Sequence, residues 1–230
     1  MDLEDAKRQA AERALLHLPE SGAVGLGTGS TVKYFIEGVA RAAKEGRRLV
    51  GVPTSDASRR LATSLGIPLL EDSGPWQLDI SVDGADEVSD VFDLIKGGGG
   101  AHTREKIVNH ASTKNIIVVD ETKLSRLLGE KWPVPIEVLC FGHLTTQERL
   151  KEFGVPRLRE KNGGPVLTDS GNYLYDLSVP PLLTPADLDR SLLSVPGVVS
   201  TGLFVGRTDL LIVAGPSGVR EIGPSAHSAS

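Results

Sequence analysis

Cysteine occurs once in these 230 residues, as Cys140. No internal disulfide can form, which fits a reducing compartment. Aromatic residues make up only 4% of the chain, and Trp76 and Trp132 do not form a base-stacking platform. No apolar run reaches the roughly 20 residues that a membrane span needs. The N-terminal stretch mixes acids and bases along a helical pattern, unlike a signal peptide or an Arg-rich transit peptide. His17, His102, His110, His143 and His227 show no metal-ligand spacing, and a single cysteine cannot build a zinc site. Ser-His-Asp chemistry lacks its nucleophile elbow. An excess of positive charge is missing too: 25 basic residues stand against 30 acidic, a net of −5. That argues against broad nucleic-acid binding, which uses a basic face. It leaves room for a small anion, because clustered backbone N–H groups hold phosphate in an acidic protein. The expectation is a cytoplasmic globule with no membrane partner and no nucleic-acid partner.

What is abundant is glycine, 26 residues in all, and its placement is informative. Leu3, Ala6, Ala10, Ala14 and Leu18 recur at helical spacing until Pro19. A short apolar run at 23–26 leads through a glycine-rich turn into a helical pattern over 31–44. The unit repeats, with a strand expected at 49–52 and a helix at 56–65. Further strands are expected at 67–69, 78–82 and 116–119, with a helix over 103–112. Short apolar strands alternating with helices predict an α/β fold, a doubly wound and mostly parallel sheet. From about 130 the pattern changes. Strands at 133–138, 156–159, 165–168, 173–179 and 198–205 flank helices at 143–153 and 187–193. That order, with one extra short strand, predicts a second, smaller ferredoxin-like α+β domain. A strand at 210–214 is expected to return to the first sheet. The boundaries are thus 1–129 plus about 206–222 for the first domain and 130–205 for the second, with 223–230 a disordered tail.

Four motifs can carry chemistry. Gly25-Leu26-Gly27-Thr28-Gly29-Ser30-Thr31 lies at a strand-to-helix junction, where glycines admit a ligand and helix-start N–H groups favour an anion. It lacks the third glycine of a dinucleotide fingerprint and the Gly-Lys-Ser/Thr of a P-loop. A tight turn capped by Ser30 is the plain alternative. Asp83-Gly84-Ala85-Asp86-Glu87 follows a parallel strand, and its carboxylates face the crevice where open α/β sheets bind ligands. A general base, a hydroxyl acceptor, a divalent-metal site and a solvated Asx turn all remain open for it. Lys96-Gly97-Gly98-Gly99-Gly100-Ala101 precedes the segment His102 to Lys106. A backbone pocket for an oxyanion beside a lysine, or a flexible linker, would each use such a run. Glu105 falls in the first turn of the following helix, where the dipole also favours an acid. Asp120-Glu121-Thr122-Lys123 brings a lysine to another strand end, unless it is simply solvated.

Taken in order, GTGST (27–31), DGADE (83–87), KGGGGA (96–101), REK (104–106) and Asp120…Lys123 resemble ribose-5-phosphate isomerase, type A. The likeness continues through residues 53–58, 135–138, 171–173 and 196–204, and covers essentially the whole chain apart from the tail. The resemblance implies the two-domain fold described above, a sugar-phosphate substrate, no metal or other cofactor, and a homodimer or homotetramer. It places substrate contacts on Thr28, Gly29, Ser30, Thr31, Asp83, Gly84, Ala85, Asp86, Lys96, Gly97, Gly98, Gly99 and Lys123. Glu105 takes the place of the proton acceptor, and Lys7 matches a position that reaches the phosphate in some members. The chain departs from the family at His102, usually Leu, and at Cys140, commonly Pro; His102 either touches substrate or replaces a core side chain.

The implied reaction, ribose 5-phosphate to ribulose 5-phosphate, needs one carboxylate on one face of a cis-enediol. Glu105 suits that role, with a pKa raised by a closed apolar cleft. Lys96 and the Gly97–Gly99 backbone would stabilise the enediolate, and Asp83 would assist ring opening while Asp86 holds hydroxyls. Ser30, Thr31 and Lys123 would anchor the phosphate. Two alternatives stand beside this reading. One is a sugar-phosphate sensor, although no segment is left over for a helix-turn-helix; the other is a hexosamine-phosphate deaminase or lactonase on a related scaffold.

Overall fold

The computed structural model describes residues 3–223 and divides into two units. One contains the chain up to Gly84 together with Arg104–Lys123 and the segment from Arg207 onward; the other is Ala85–Thr103 with Leu124–Gly206. The tail expected at 223–230 lies, from residue 224, outside the described residues.

The first unit is α/β. Its strands are Ser21–Leu26, Arg48–Pro53, Leu78–Asp83, Ser112–Asp120, Leu210–Gly215 and Gly218–Ile222. In chain order the sheet runs 2-1-3-4-5-6; the first five are parallel and the last is an antiparallel edge. That order reverses between Ser21–Leu26 and Leu78–Asp83, and in such sheets the crevice beyond the strands' carboxyl ends at the reversal is the ligand site. Side chains alternate across each strand. Val24, Leu26, Ile80, Val82, Ile116 and Val118 pack under the helices Leu3–Leu15 and Ser30–Lys44. Ala6, Ala10 and Ala14 form the inner stripe of the first of these helices. The opposite face carries Val52 and Leu78 against Val108 of the helix His102–His110.

Two expected strands come out differently. Residues 67–69 make only an isolated bridge, Gly51 to Leu69. The strand expected at 116–119 begins earlier, at Ser112, because buried polar partners replace apolar ones there: Ser81 Oγ donates to Asn115 Oδ1 at 2.7 Å.

The second unit contains the ferredoxin-like pattern. Val134–Val138, helix His143–Leu150, Val155–Leu158, Tyr173–Ser178, helix Pro185–Leu193 and Val198–Thr201 follow one another. The four strands form an antiparallel sheet, with Val198–Thr201 and Val155–Leu158 at its edges. Glu160–Lys161 and Gly164–Pro165 form a small extra hairpin, so the strand expected at 165–168 is largely absent.

A second sheet of very short strands, Glu87–Val88, Leu94–Ile95 and Leu203–Phe204, was not foreseen. It draws residues 85–103, which the sequence boundaries place in the first domain, into the second unit. It also splits the strand expected at 198–205. The chain changes sheets at Gly202, where a Cβ would lie 2.2 Å from the Lys96 carbonyl oxygen. No helix among the described residues is long and apolar enough to cross a membrane.

The turn between Glu87–Val88 and Leu94–Ile95 carries Asp93, which accepts the Gly206 N–H at 2.9 Å. Burial pushes this carboxyl above its ordinary range, and the Gly206 hydrogen bond offsets only part of the rise. A raised folded-state pKa contributes stability below the unfolded value, near 3.9, that is lost as pH rises through the folded value. Asp93→Asn keeps an acceptor for Gly206 but cannot ionise. It should melt higher than the parent at pH 8, by roughly 2–4 °C per kcal/mol relieved. The gap should close as pH falls towards about 4. A difference in melting temperature that does not vary with pH would remove Asp93 as its source.

Candidate active site

In the first unit, three expected segments reach one end of the parallel sheet. Residues 27–31 leave the strand Ser21–Leu26, Asp83 ends Leu78–Asp83, and Lys123 closes a short 3-10 turn after Ser112–Asp120. The loop and Asp83 are built as one piece. Asp83 Oδ1 accepts the backbone N–H groups of Thr28 at 3.0 Å and of Gly84 at 2.8 Å. A Cβ on Gly27 would sit 2.3 Å from the Asp83 carboxyl carbon, so only glycine lets the carboxylate stand this close.

Below the loop is a layer of hydroxyls. Thr28 and Thr54 share a hydrogen bond of 2.8 Å between their Oγ1 atoms, and Ser58 Oγ donates to the Gly27 carbonyl at 2.6 Å. Ser55 caps the helix Asp56–Ser64 through the Ser58 N–H. Thr54 and Ser58 therefore set the loop's path, a role that the sequence reading did not assign. Hydroxyls directly after a parallel strand were the available signal.

The helix that follows, Ser30–Lys44, starts from Gly29 with no side-chain cap. The plain alternative of a turn capped by Ser30 thus fails, since Ser30 is already the first helical residue. The first-turn N–H groups, with the hydroxyls of Ser30 and Thr31, make a strong setting for an oxyanion.

Glu105 lies in the first turn of His102–His110 and is 5% exposed. Val108, one turn later on the same face, packs so close to Gly25 that a Cβ there would meet it at 2.6 Å. The helix leads into a parallel strand, so its N-terminal turn lies towards the strands' carboxyl ends. Arg104 fixes that turn by an ion pair of 2.8 Å to Asp56. The Glu105 side chain is buried, not solvated. Lys7 lies on the helix Leu3–Leu15 and pairs with Glu4 at 3.2 Å.

In the second unit, Ala85, Asp86 and Lys96–Gly99 form a compact group. Asp86 donates its N–H to the Ile95 carbonyl at 2.9 Å, and its Oδ2 accepts the Gly98 N–H at 2.7 Å. Gly98 N–H therefore holds the loop, which removes one donor from the Gly97–Gly99 set expected to meet an enediolate. Lys96 is 4% exposed and reaches over the Phe204 ring, 5.5 Å from Nζ to the centroid.

Glu87, beside Asp86, faces the other way. It is fully buried and accepts N–H groups from Gly129 at 2.9 Å and Lys131 at 3.0 Å. It is an anchor for the 129–132 turn. His102 is also fully buried, with Nε2 3.4 Å from the Ser200 carbonyl and its ring under Gly97. That is the core replacement. Thr103, the next residue of the helix, donates to the buried Glu137, which also accepts from Thr168 and Asn172. No three His, Cys, Asp or Glu side chains among the described residues come together as a metal-holding set.

Residues 50–218 match the family model for ribose 5-phosphate isomerase A (phosphoriboisomerase A). A relative from Deinococcus radiodurans, "Ribose-5-phosphate isomerase A", is 47% identical over 96% of this chain and 99% of its own length. Among solved structures, a D-ribose-5-phosphate isomerase in complex with phospho-erythronic acid superposes with a TM-score of 0.93 at 38% identity. It covers 97% of this chain and 100% of that one. Ribose 5-phosphate isomerase A from Methanocaldococcus jannaschii gives 0.90 at 36% identity, over 96% and 100% of the two chains.

Proposed function

Because the chain belongs to the ribose 5-phosphate isomerase A family, which interconverts ribose 5-phosphate and ribulose 5-phosphate, we propose that Glu105 is its catalytic base. The observation that carries this assignment is a buried carboxylate in the first helical turn, on the side of the sheet's carboxyl ends. Aldose and ketose differ by a proton on carbon 1 or carbon 2 and one between their oxygens. A carboxylate on one face of a planar cis-enediolate takes the proton from one carbon and returns it to the other. Asp83 assists ring opening by accepting a hydroxyl proton, and Asp86 holds sugar hydroxyls with Gly84 and Ala85.

Negative charge grows on the substrate oxygens as the proton leaves. The Lys96 ammonium and the backbone of Gly97 and Gly99 offset it, the Gly98 N–H being given to Asp86, and fixed donors do so without reorganising during the step. The phosphate is taken by the helix start at Ser30 and Thr31, with Thr28, Gly29 and Lys123. Its binding orients the reacting carbons from a distance. Phospho-erythronic acid, held by a related isomerase, carries a phosphate and a planar carboxylate, the latter shaped like an enediolate. The relatives are isomerases by name, and neither the sensor nor the deaminase or lactonase alternative has support among them. Exposed Phe141, Leu144 and Leu183 fit association into a homodimer or homotetramer. A phosphorylated substrate and a single cysteine fit the cytoplasm.

Conversion of ribose 5-phosphate to ribulose 5-phosphate by the purified protein is the direct test. The rate should be the same with and without a chelator. Loss of activity with chelator and recovery with magnesium or manganese would make Asp83 and Asp86 metal ligands, and the assignment above wrong.

A further inference from the structure

The glycine run of the second unit is gripped from two sides, and one grip comes from a residue outside every motif noted in the sequence. The strand Val155–Leu158 pairs antiparallel with Tyr173–Ser178, setting Arg157 opposite Asp176. The ladder continues one residue further, since the Arg159 N–H donates to the Leu174 carbonyl at 2.8 Å. Arg159 thus shares a face with Arg157 and lies diagonal to Asp176. The two form a two-pronged ion pair, with Nε donating to Oδ2 at 2.9 Å and Nη2 donating to Oδ1. A cross-strand pair of this kind is by itself ordinary. The remaining nitrogen is not: Nη1 donates to the carbonyl oxygens of Gly97 at 2.9 Å and Gly98 at 3.1 Å.

In a trans peptide the C=O and N–H point in opposite directions. Fixing the Gly97 and Gly98 carbonyls therefore fixes where the N–H groups of Gly98 and Gly99 point. The Gly98 N–H meets Asp86 Oδ2 on the far side, so that peptide is held at both ends. Glycine peptides have no side chains to resist rotation, and the loop contains φ values of +109° at Gly97 and +79° at Gly100. Its backbone directions must come from outside it. Only a planar fork spans a carboxylate and two carbonyls at once; an ammonium is a single point of charge.

We propose that Arg159, aimed by Asp176, is a positioning residue that sets the peptide directions of Gly97–Gly99 beside Lys96. The proposal rests on the reading that this segment stabilises the enediolate. Arg159 then acts in the transition state and barely in phosphate binding. Arg159→Ala should lower kcat by about 10²-fold, the scale of a lost oxyanion donor or a misplaced reacting group. KM for ribose 5-phosphate should stay within about threefold. Ethylguanidinium should restore part of the rate, whereas equal ethylammonium or sodium chloride should not. Arg159→Lys should remain slow.

Hydrogen exchange supplies a readout that does not depend on turnover. Amides in the segment 96–101 should lose protection in both variants while the sheet of the first unit keeps it. A folded Arg159→Ala with parental kcat overturns the proposal, as does a loss shared equally by KM and melting temperature without guanidinium rescue. If the alanine variant fails to fold, parental kcat in Arg159→Lys overturns it. A parent protein that does not isomerise ribose 5-phosphate would count against the function reading instead. Exchange in Arg159→Lys then judges the positioning claim alone: unchanged protection overturns it, and lost protection upholds it.

Discussion

Glu105→Gln should leave the fold and phosphate binding intact and lower kcat by about 10²–10⁴, the usual effect of removing a general base. Gln keeps the size and hydrogen-bonding capacity of Glu but cannot accept a proton from carbon. The competing explanation, an acid that merely suits the start of His102–His110, predicts a few tenths of a kcal/mol of stability and near-normal turnover. Glu105 is buried, so its side chain is withdrawn from the solvent in which a dipole-favoured surface acid usually sits. Steady-state kinetics on the folded variant, with inorganic phosphate inhibition to report the anion site, separates the two. Turnover near the parental rate would move the base to Asp83. Proton transfer through a carboxylate also leaves a trace, since the proton exchanges with solvent while it resides there. In heavy water, ribulose 5-phosphate should carry some deuterium at carbon 1. A shielded base returns the same proton, so the kinetic result decides and the label supports it.

How much of this was legible beforehand depended on the range over which each contact acts. The parallel sheet was plain because its strands are buried on both faces and read as apolar runs, such as Ile116-Ile117-Val118-Val119. Glycine-rich and acidic motifs directly after such runs had to lie at strand carboxyl ends, so the segments at 27–31, 83 and 123 could be grouped without coordinates. The three-stranded sheet of 87–88, 94–95 and 203–204 was not legible, because two-residue strands have no periodicity. Asp86 and Glu87 looked equivalent in DGADE. In extended chain, neighbours point to opposite sides, and pairing with the Leu94–Ile95 strand decided that Glu87 is the buried anchor. Arg159 gave no local signal either. Its link to the glycine loop exists only through the register of Val155–Leu158 on Tyr173–Ser178, a pairing that no nearby residue announces.

Lys96→Met should produce the other large loss, about 10²–10³ in kcat, the range for removing a preorganised donor from a developing oxyanion. Methionine preserves the unbranched stem and the packing while deleting the charge. The outcome is diagnostic, because the catalytic and structural readings of Lys96 predict different effects on turnover. An ammonium that is 4% exposed has surrendered most of its hydration, and the Phe204 face 5.5 Å away returns about 0.5–2 kcal/mol of that. Were Lys96 purely structural, deleting its charge would lower the melting temperature through the lost aromatic contact and leave turnover near normal. If it is held there to meet an enediolate, turnover falls whatever the substitution does to the fold. The expected pattern is therefore a folded enzyme that turns over at least about a hundredfold more slowly. KM should change less than kcat, since the enediolate charge is absent from bound substrate and present only along the reaction. A Lys96→Met protein that melts lower and isomerises normally would assign the lysine to the sheet of Leu94–Ile95 and Leu203–Phe204. The oxyanion role would then pass to the glycine backbone alone.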